Sequence, residues 1–275
     1  MTDAVRITDL RIRYGKTAHP VLSIDSLHIA RGAHVAVIGP SGSGKTTLLR
    51  ALHGLVRPDA GEISVHGVAL AAKAARTRGF RRRNAAVFQE FQLVERASVL
   101  RNVLCGRLGQ TAVLPSLLGV FGAADRRAAI QAIEATGLAE FAFRRVDMLS
   151  GGQRQRVAVA RALAQQAELI TADEPVSNLD PVLADDVLRL VMGQAREREA
   201  TAIAVVHHPD LAAGHAERII GLVDGRIVFD SADAAALDAT ALRRIYGRSL
   251  APRIVRDLAP GDHERDLRNP PSHVA

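Results

Sequence analysis

Tryptophan is absent from the 275 residues and aromatics make up only 3% of the chain. Proteins that hold single-stranded nucleic acid stack its bases on exposed rings, and few rings are on offer here. The net charge of +7 therefore reads as arginine-rich composition, and no nucleic-acid partner is expected. Its one local concentration is Arg76, Arg78, Arg81, Arg82 and Arg83. The single cysteine, Cys105, excludes an internal disulfide and suits a reducing compartment. No apolar run approaches the roughly 20 residues of a membrane-spanning helix. The opening Met1-Thr2-Asp3-Ala4-Val5-Arg6 lacks the basic and apolar segments of a secretory signal. A cytoplasmic protein is expected, reaching a membrane only through partners.

An apolar share of 48% supplies a core for one large domain, or a core with a small subdomain. Residues 5–12 and 21–29 alternate apolar and polar positions, which predicts antiparallel strands. Residues 34–38 form a short β-branched run, followed by helix formers over 46–55, and residues 61–68 suggest a hairpin. From 93 to 149 the pattern becomes helical, with Asp125 as a cap for a helix carrying Ala129, Ile130 and Ile133. Further on come a helix over 155–163 and apolar strands at 169–172 and 201–206. Apolar strands alternating with helices predict an α/β fold whose parallel sheet is covered on both faces. Asp224-Gly225 between two apolar runs is a hairpin signal. The Ala-rich stretch after Ser231 is expected to be helical to about Tyr246, and the polar, Pro-containing tail from Pro252 to be loose.

The segment Gly39-Pro40-Ser41-Gly42-Ser43-Gly44-Lys45-Thr46, with Thr47 behind it, matches a phosphate-binding loop. Glycines let backbone N–H groups curl around phosphate oxygens at a helix N-terminus. Lys45 would reach the β- and γ-phosphates of ATP, and the Thr46 hydroxyl would ligate Mg²⁺. Leu169-Ile170-Thr171-Ala172-Asp173-Glu174 is a buried strand ending in two carboxylates. Asp173 suits a role beside Mg²⁺ and Glu174 that of the general base for an attacking water. Thr171 interrupts an otherwise aliphatic run, which is tolerable if its hydroxyl bonds backbone. Ser150-Gly151-Gly152 before a helix is either a second anion-binding N-terminus or an N-cap with a Gly pair.

In this order the motifs resemble those of the ATP-binding subunits of ABC transporters, over about residues 5–230. Leu149-Ser150-Gly151-Gly152-Gln153 resembles that family's signature, and Ser177-Asn178-Leu179-Asp180 its D-loop. The resemblance implies that Gln89 senses magnesium and water and that Asp180 lines a dimer seam. It makes His207, rather than His208, a γ-phosphate contact, and Tyr14 the ring stacked on adenine. It implies a P-loop NTPase core, mainly a parallel sheet, formed by residues 1–92 and 150–230, with an N-terminal antiparallel β subdomain. Residues 93–149 would be a helical insertion, and residues 231–275 a C-terminal helix and loose tail. The implied assembly is a homodimer in which Ser150, Gly151, Gly152 and Gln153 of one subunit complete the ATP site of the other. Two integral membrane permease subunits and an extracytoplasmic solute-binding protein would complete it at the cytoplasmic face of the cell membrane.

Asn102-Val103-Leu104-Cys105-Gly106-Arg107-Leu108-Gly109 and residues 116–121 resemble the phosphonate-importer branch, as do Ile219-Ile220-Gly221-Leu222 and residues 225–230. Residues 102–109 and 116–121 are expected to face a permease loop. The sequence departs from that branch at His208-Pro209, where Gln and an aliphatic residue are more usual, and in its long tail. Alternatives are an ABC ATPase for another cargo (an amino acid, phosphate, lipoprotein release), a non-transport ABC ATPase of DNA repair or translation, and a P-loop kinase.

Overall fold

The computed structural model describes residues 3–15, 19–70, 77–88, 91–111, 119–176 and 181–247. In chain order the first half contributes β1 (Asp3–Ile12), β2 (Leu22–Ala30), β3 (His34–Ile38), α1 (Lys45–Leu52), β4 (Ala60–Val65), β5 (Val68–Ala69), α2 (Arg78–Arg83) and β6 (Asn84–Val87). Helices α3 (Val99–Cys105), α4 (Ala123–Ala135) and α5 (Gly151–Ala164) follow. The remainder is β7 (Leu169–Asp173), α6 (Pro181–Glu197), β8 (Thr201–Val205), α7 (Pro209–His215), β9 (Arg218–Val223), β10 (Arg226–Ser231) and α8 (Ala239–Tyr246).

The alternating N-terminal strands pair antiparallel in a four-stranded sheet of order β2-β1-β4-β5. Besides Ala4, the buried positions of β1 are Val5 and Ile7, then Leu10 and Ile12, a slip of one residue along the strand. The β1–β4 pairing shifts register between Thr8 and Arg11, and Asp9 there takes φ 49°. The bulge swaps faces, so the apolar set stays inward on both sides of it.

The second sheet has six strands in the order β10-β9-β3-β8-β7-β6. Strands β9, β3, β8, β7 and β6 run parallel, and β10 returns antiparallel through Asp224-Gly225, both with positive φ. Every residue of β3, β7 and β8 is buried, as a sheet covered on both faces demands. Adjacent residues of β3 face opposite layers. Ala36 and Ile38 join a core with helices α3 to α8; Val35 and Val37 join a core with α1 and the antiparallel sheet.

Two expectations need correction, the Asp125 cap and the helix after Ser231. Asp125 does not cap α4: Gly122 is the N-cap. Its carboxylate instead accepts from the buried Arg107 guanidinium at 2.9 Å and from the Thr111 hydroxyl at 3.1 Å, because a buried cation needs a partner more than a helix end does. Residues 102–109 are for the most part packed inward. Asn102, Val103, Leu104 and Arg107 are buried, and a Cβ on Gly106 would sit 2.2 Å from the Arg161 carbonyl oxygen. Leu108 within that run is exposed; residues 116–118 lie outside the described residues. After Ser231 the chain makes a short 3₁₀ turn at Ala234–Ala236 before α8, whose N-terminal amide at Ala241 is capped by Asp238.

The hydroxyl of Thr171 does bond backbone, reaching the Ala85 carbonyl at 3.4 Å, and it also lies 2.6 Å from Nε2 of His53 at the end of α1. Burial pushes His53 down to about 4 from 6.5, and burial likewise holds His66 at about 4, opposed by Glu168. Below pH 6.5 the unfolded chain takes up protons that these folded histidines refuse, so stability is full above pH 6.5 and is lost as pH falls toward 4. The slope from His53 is at most about 1.4 kcal/mol per pH unit, with His66 adding in the same direction. Urea titrations from pH 7 to 4.5 check this, and His53→Gln is expected to flatten the profile.

Candidate functional site

Strands β3, β8 and β7 are consecutive neighbours and parallel, so the loops that leave their C-terminal ends share one edge of the sheet. In open α/β sheets that edge is where ligands bind. The loop after β3 is the glycine-rich segment, the loop after β7 begins with Glu174, and the loop after β8 carries His207. Two backbone bonds fasten this edge: Val206 N–H donates to the Val37 carbonyl at 3.1 Å and Glu174 N–H to the Val205 carbonyl at 3.2 Å.

Gly39 has φ 150° and a Cβ there would lie 2.0 Å from the Leu222 carbonyl oxygen, so no other residue fits. Gly44, with φ 101°, is the N-cap of α1 and supplies no side chain to it. The first amides of α1 are thus left facing the loop, an arrangement suited to anions. Ser43 Oγ is buried and has no hydrogen-bond partner among the described residues. Lys45 is buried and its ammonium donates to the Gly39 and Pro40 carbonyls at 2.8 and 2.9 Å. Burial pulls its pKa below the usual lysine value, with Glu174 and Asp173 pulling it back up. The cation is under-solvated and curled inside the loop, where a phosphate would serve it better than two carbonyls. Ser41 and Gly42 are exposed at the tip of the loop and Thr47 is buried behind it.

The Thr46 hydroxyl donates to Asp173 Oδ1 at 3.1 Å. Burial raises the Asp173 pKa; the Thr46 bond lowers it and the nearby Glu174 raises it again. A hydroxyl and a carboxylate, oxygen donors only, fit Mg²⁺, which takes few protein ligands and fills its octahedron with phosphate oxygens and water. Glu174 lies beside Asp173 but its backbone is left-handed, φ 49°, a conformation that costs about 1 kcal/mol or more for a residue other than glycine. Its Oε1 stands 2.6 Å from Nε2 of His207. The sequence reading held these two residues to separate tasks; their direct pairing carries no signature in sequence, because it arises from strand order.

His208 is exposed and forms the N-cap of α7. Because β8 stops at Val205, strand alternation does not set the directions of the two histidines; the turn into α7 does. Tyr14, 43% exposed, lies in the β1–β2 connection. That connection abuts the glycine-rich loop, since a Cβ on Gly44 would be 2.9 Å from the Val21 carbonyl oxygen. Gln89 and Asp180 lie outside the described residues.

Ser150 caps α5: its hydroxyl accepts from Gln153 N–H at 3.3 Å, and Gln153 Oε1 accepts from Ser150 N–H at 3.0 Å. This reciprocal capping box, which the sequence offered only as an N-cap with a Gly pair, exposes Ser150 and Gly151 at the surface. Among the described residues no hydrogen bond or ion pair joins residues 150–153 to the loop of Lys45. Gly151 is exposed and Gly152 half-buried at the N-terminus of α5.

A family model described as "ABC transporter" matches residues 22–177. The chain is 43% identical over 252 residues to a Bordetella parapertussis protein named phosphonates import ATP-binding protein, covering 90% of this chain and 98% of the relative. It is 46% identical over 224 residues to a Trichodesmium erythraeum protein of the same name, covering 81% and 85%. Among solved structures it is similar to a dimeric ATP-binding cassette in a post-hydrolysis state with ADP and Pi bound. That likeness has a TM-score of 0.70 at 30% identity and covers 82% of this chain and 97% of the other.

Proposed function

Because the chain belongs to the ABC transporter family, we propose that it is the ATP-hydrolysing subunit of an importer of phosphonates or a related small phosphorus oxyanion. The observation that carries the ATPase reading is the convergence of Lys45, Asp173, Glu174 and His207 on adjacent loops at one sheet edge. Lys45 and the amides of Gly42, Ser43 and Gly44 bind the phosphates, and Tyr14 covers the adenine. Thr46, Asp173 and Gln89 would hold Mg²⁺, which when bound neutralises charge on the β- and γ-phosphate oxygens. Glu174 takes a proton from the attacking water, and His207 orients that carboxylate and contacts the γ-phosphate. Ser150, Gly151, Gly152, Gln153 and Asp180 of a second copy close the site, so ATP joins two subunits and hydrolysis releases them. Residues 93–149 would transmit closure to two permease subunits docked near Gln89, at the cytoplasmic face of the cell membrane, with a solute-binding protein delivering cargo. No helix among the described residues is long and apolar enough to cross a membrane, so translocation itself falls to the partners.

The cargo rests on kinship with phosphonate-import ATP-binding proteins. In the reconstituted complex, ATPase activity is expected to rise when the cognate binding protein is loaded with a phosphonate. Stimulation by amino acids alone, with none by any phosphorus compound, would overturn the cargo and leave the ATPase standing.

A further inference from the structure

The last described helix returns to the nucleotide edge. Tyr246, the final residue of α8, places its hydroxyl 3.4 Å from the His207 carbonyl oxygen and donates to it. Burial pushes that phenol up to about 12. The hydroxyl is therefore a proton donor at any working pH, and it holds the backbone of the loop that follows β8. The side chain of that same residue, His207, holds Glu174. The helix is itself fixed: Leu242 and Ile245 are buried, and a Cβ on Gly221 would lie 2.7 Å from Ile245 Cδ1. That close contact holds α8 on β9.

We propose that Tyr246 is a positioning residue for ATP hydrolysis, its hydroxyl donating to the His207 carbonyl so that α8 fixes the residue that holds Glu174. The inference rests on the reading of His207 given above and adds a residue outside the matched family segment 22–177. Its chemistry is one hydrogen bond in a preorganised site, where a lost bond costs about fivefold in rate.

The test is Tyr246→Phe, which keeps ring and volume, beside His207→Ala in the same full-length background. Expected for Tyr246→Phe is a kcat lower by about fivefold with ATP Kd and Tm unchanged. In the nucleotide-free protein, hydrogen–deuterium exchange should quicken at residues 206–209 while α8 stays protected. Added to His207→Ala, it should cause no further loss, because it acts through that residue. If His207→Ala is impaired while Tyr246→Phe matches the wild type, this inference alone falls. A fall in kcat that tracks lowered Tm and weakened Kd would also overturn it, marking a structural role. If His207→Ala is itself silent, the reading of the site fails and takes the inference with it.

Discussion

Glu174→Gln is expected to lower kcat for ATP hydrolysis by about a thousandfold while ATP affinity stays within a few fold of the wild type. The amide has the shape of the carboxylate and can still accept from His207 Nε2, now 2.6 Å away, but it cannot take a proton from water. The left-handed backbone at this position is retained, so geometry is preserved while chemistry is lost. Steady-state phosphate release, set against equilibrium nucleotide binding, separates the two quantities. A variant hydrolysing near the wild-type rate would remove Glu174 from the role of base.

Lys45→Ala should act at an earlier stage, raising the Kd for ATP by about a hundredfold. The ammonium is the buried cation nearest to where phosphate oxygens belong, and its present partners, the Gly39 and Pro40 carbonyls, are stand-ins that any phosphate outcompetes. Removing it leaves a cradle of amides without compensating charge. Calorimetric titration with ATP reads the loss directly. Unchanged affinity would mean that the amides alone hold the nucleotide.

Much of this site was legible before any fold, for a definite reason. A loop that wraps phosphates must have glycine where the backbone turns left-handed or meets another chain segment, as Gly39 meets Leu222. Sequence records such steric demands. Strand type was legible too, because β3, β7 and β8 are buried throughout and hence wholly apolar apart from His34, Thr171, Asp173 and Thr201. What sequence did not record is adjacency. The pairing of Glu174 with His207 follows from β8 lying next to β7, and the reach of Tyr246 to His207 from α8 packing on β9; neither leaves a local pattern. Asp125 misled for a related reason, since an acid near a helix start looks like a cap until a buried arginine claims it. Residues 102–109 stood out in sequence, and the structure adds that most of that run is packed inward while Leu108 stays exposed.

The site is drawn as one that two copies of the chain share, and Glu174→Gln protein makes that directly measurable by light scattering on a sizing column. With ATP and Mg²⁺ it should elute as a dimer and without nucleotide as a monomer, because the closing contacts are polar loops around the ligand and bury little apolar area of their own. Adding Ser150→Arg, which fills the outward-facing N-terminus of α5 with bulk and charge, should return it to monomer while ATP binding to each subunit persists. A Glu174→Gln chain that stays monomeric at saturating ATP, or a doubly substituted one that still dimerises, would contradict the shared site.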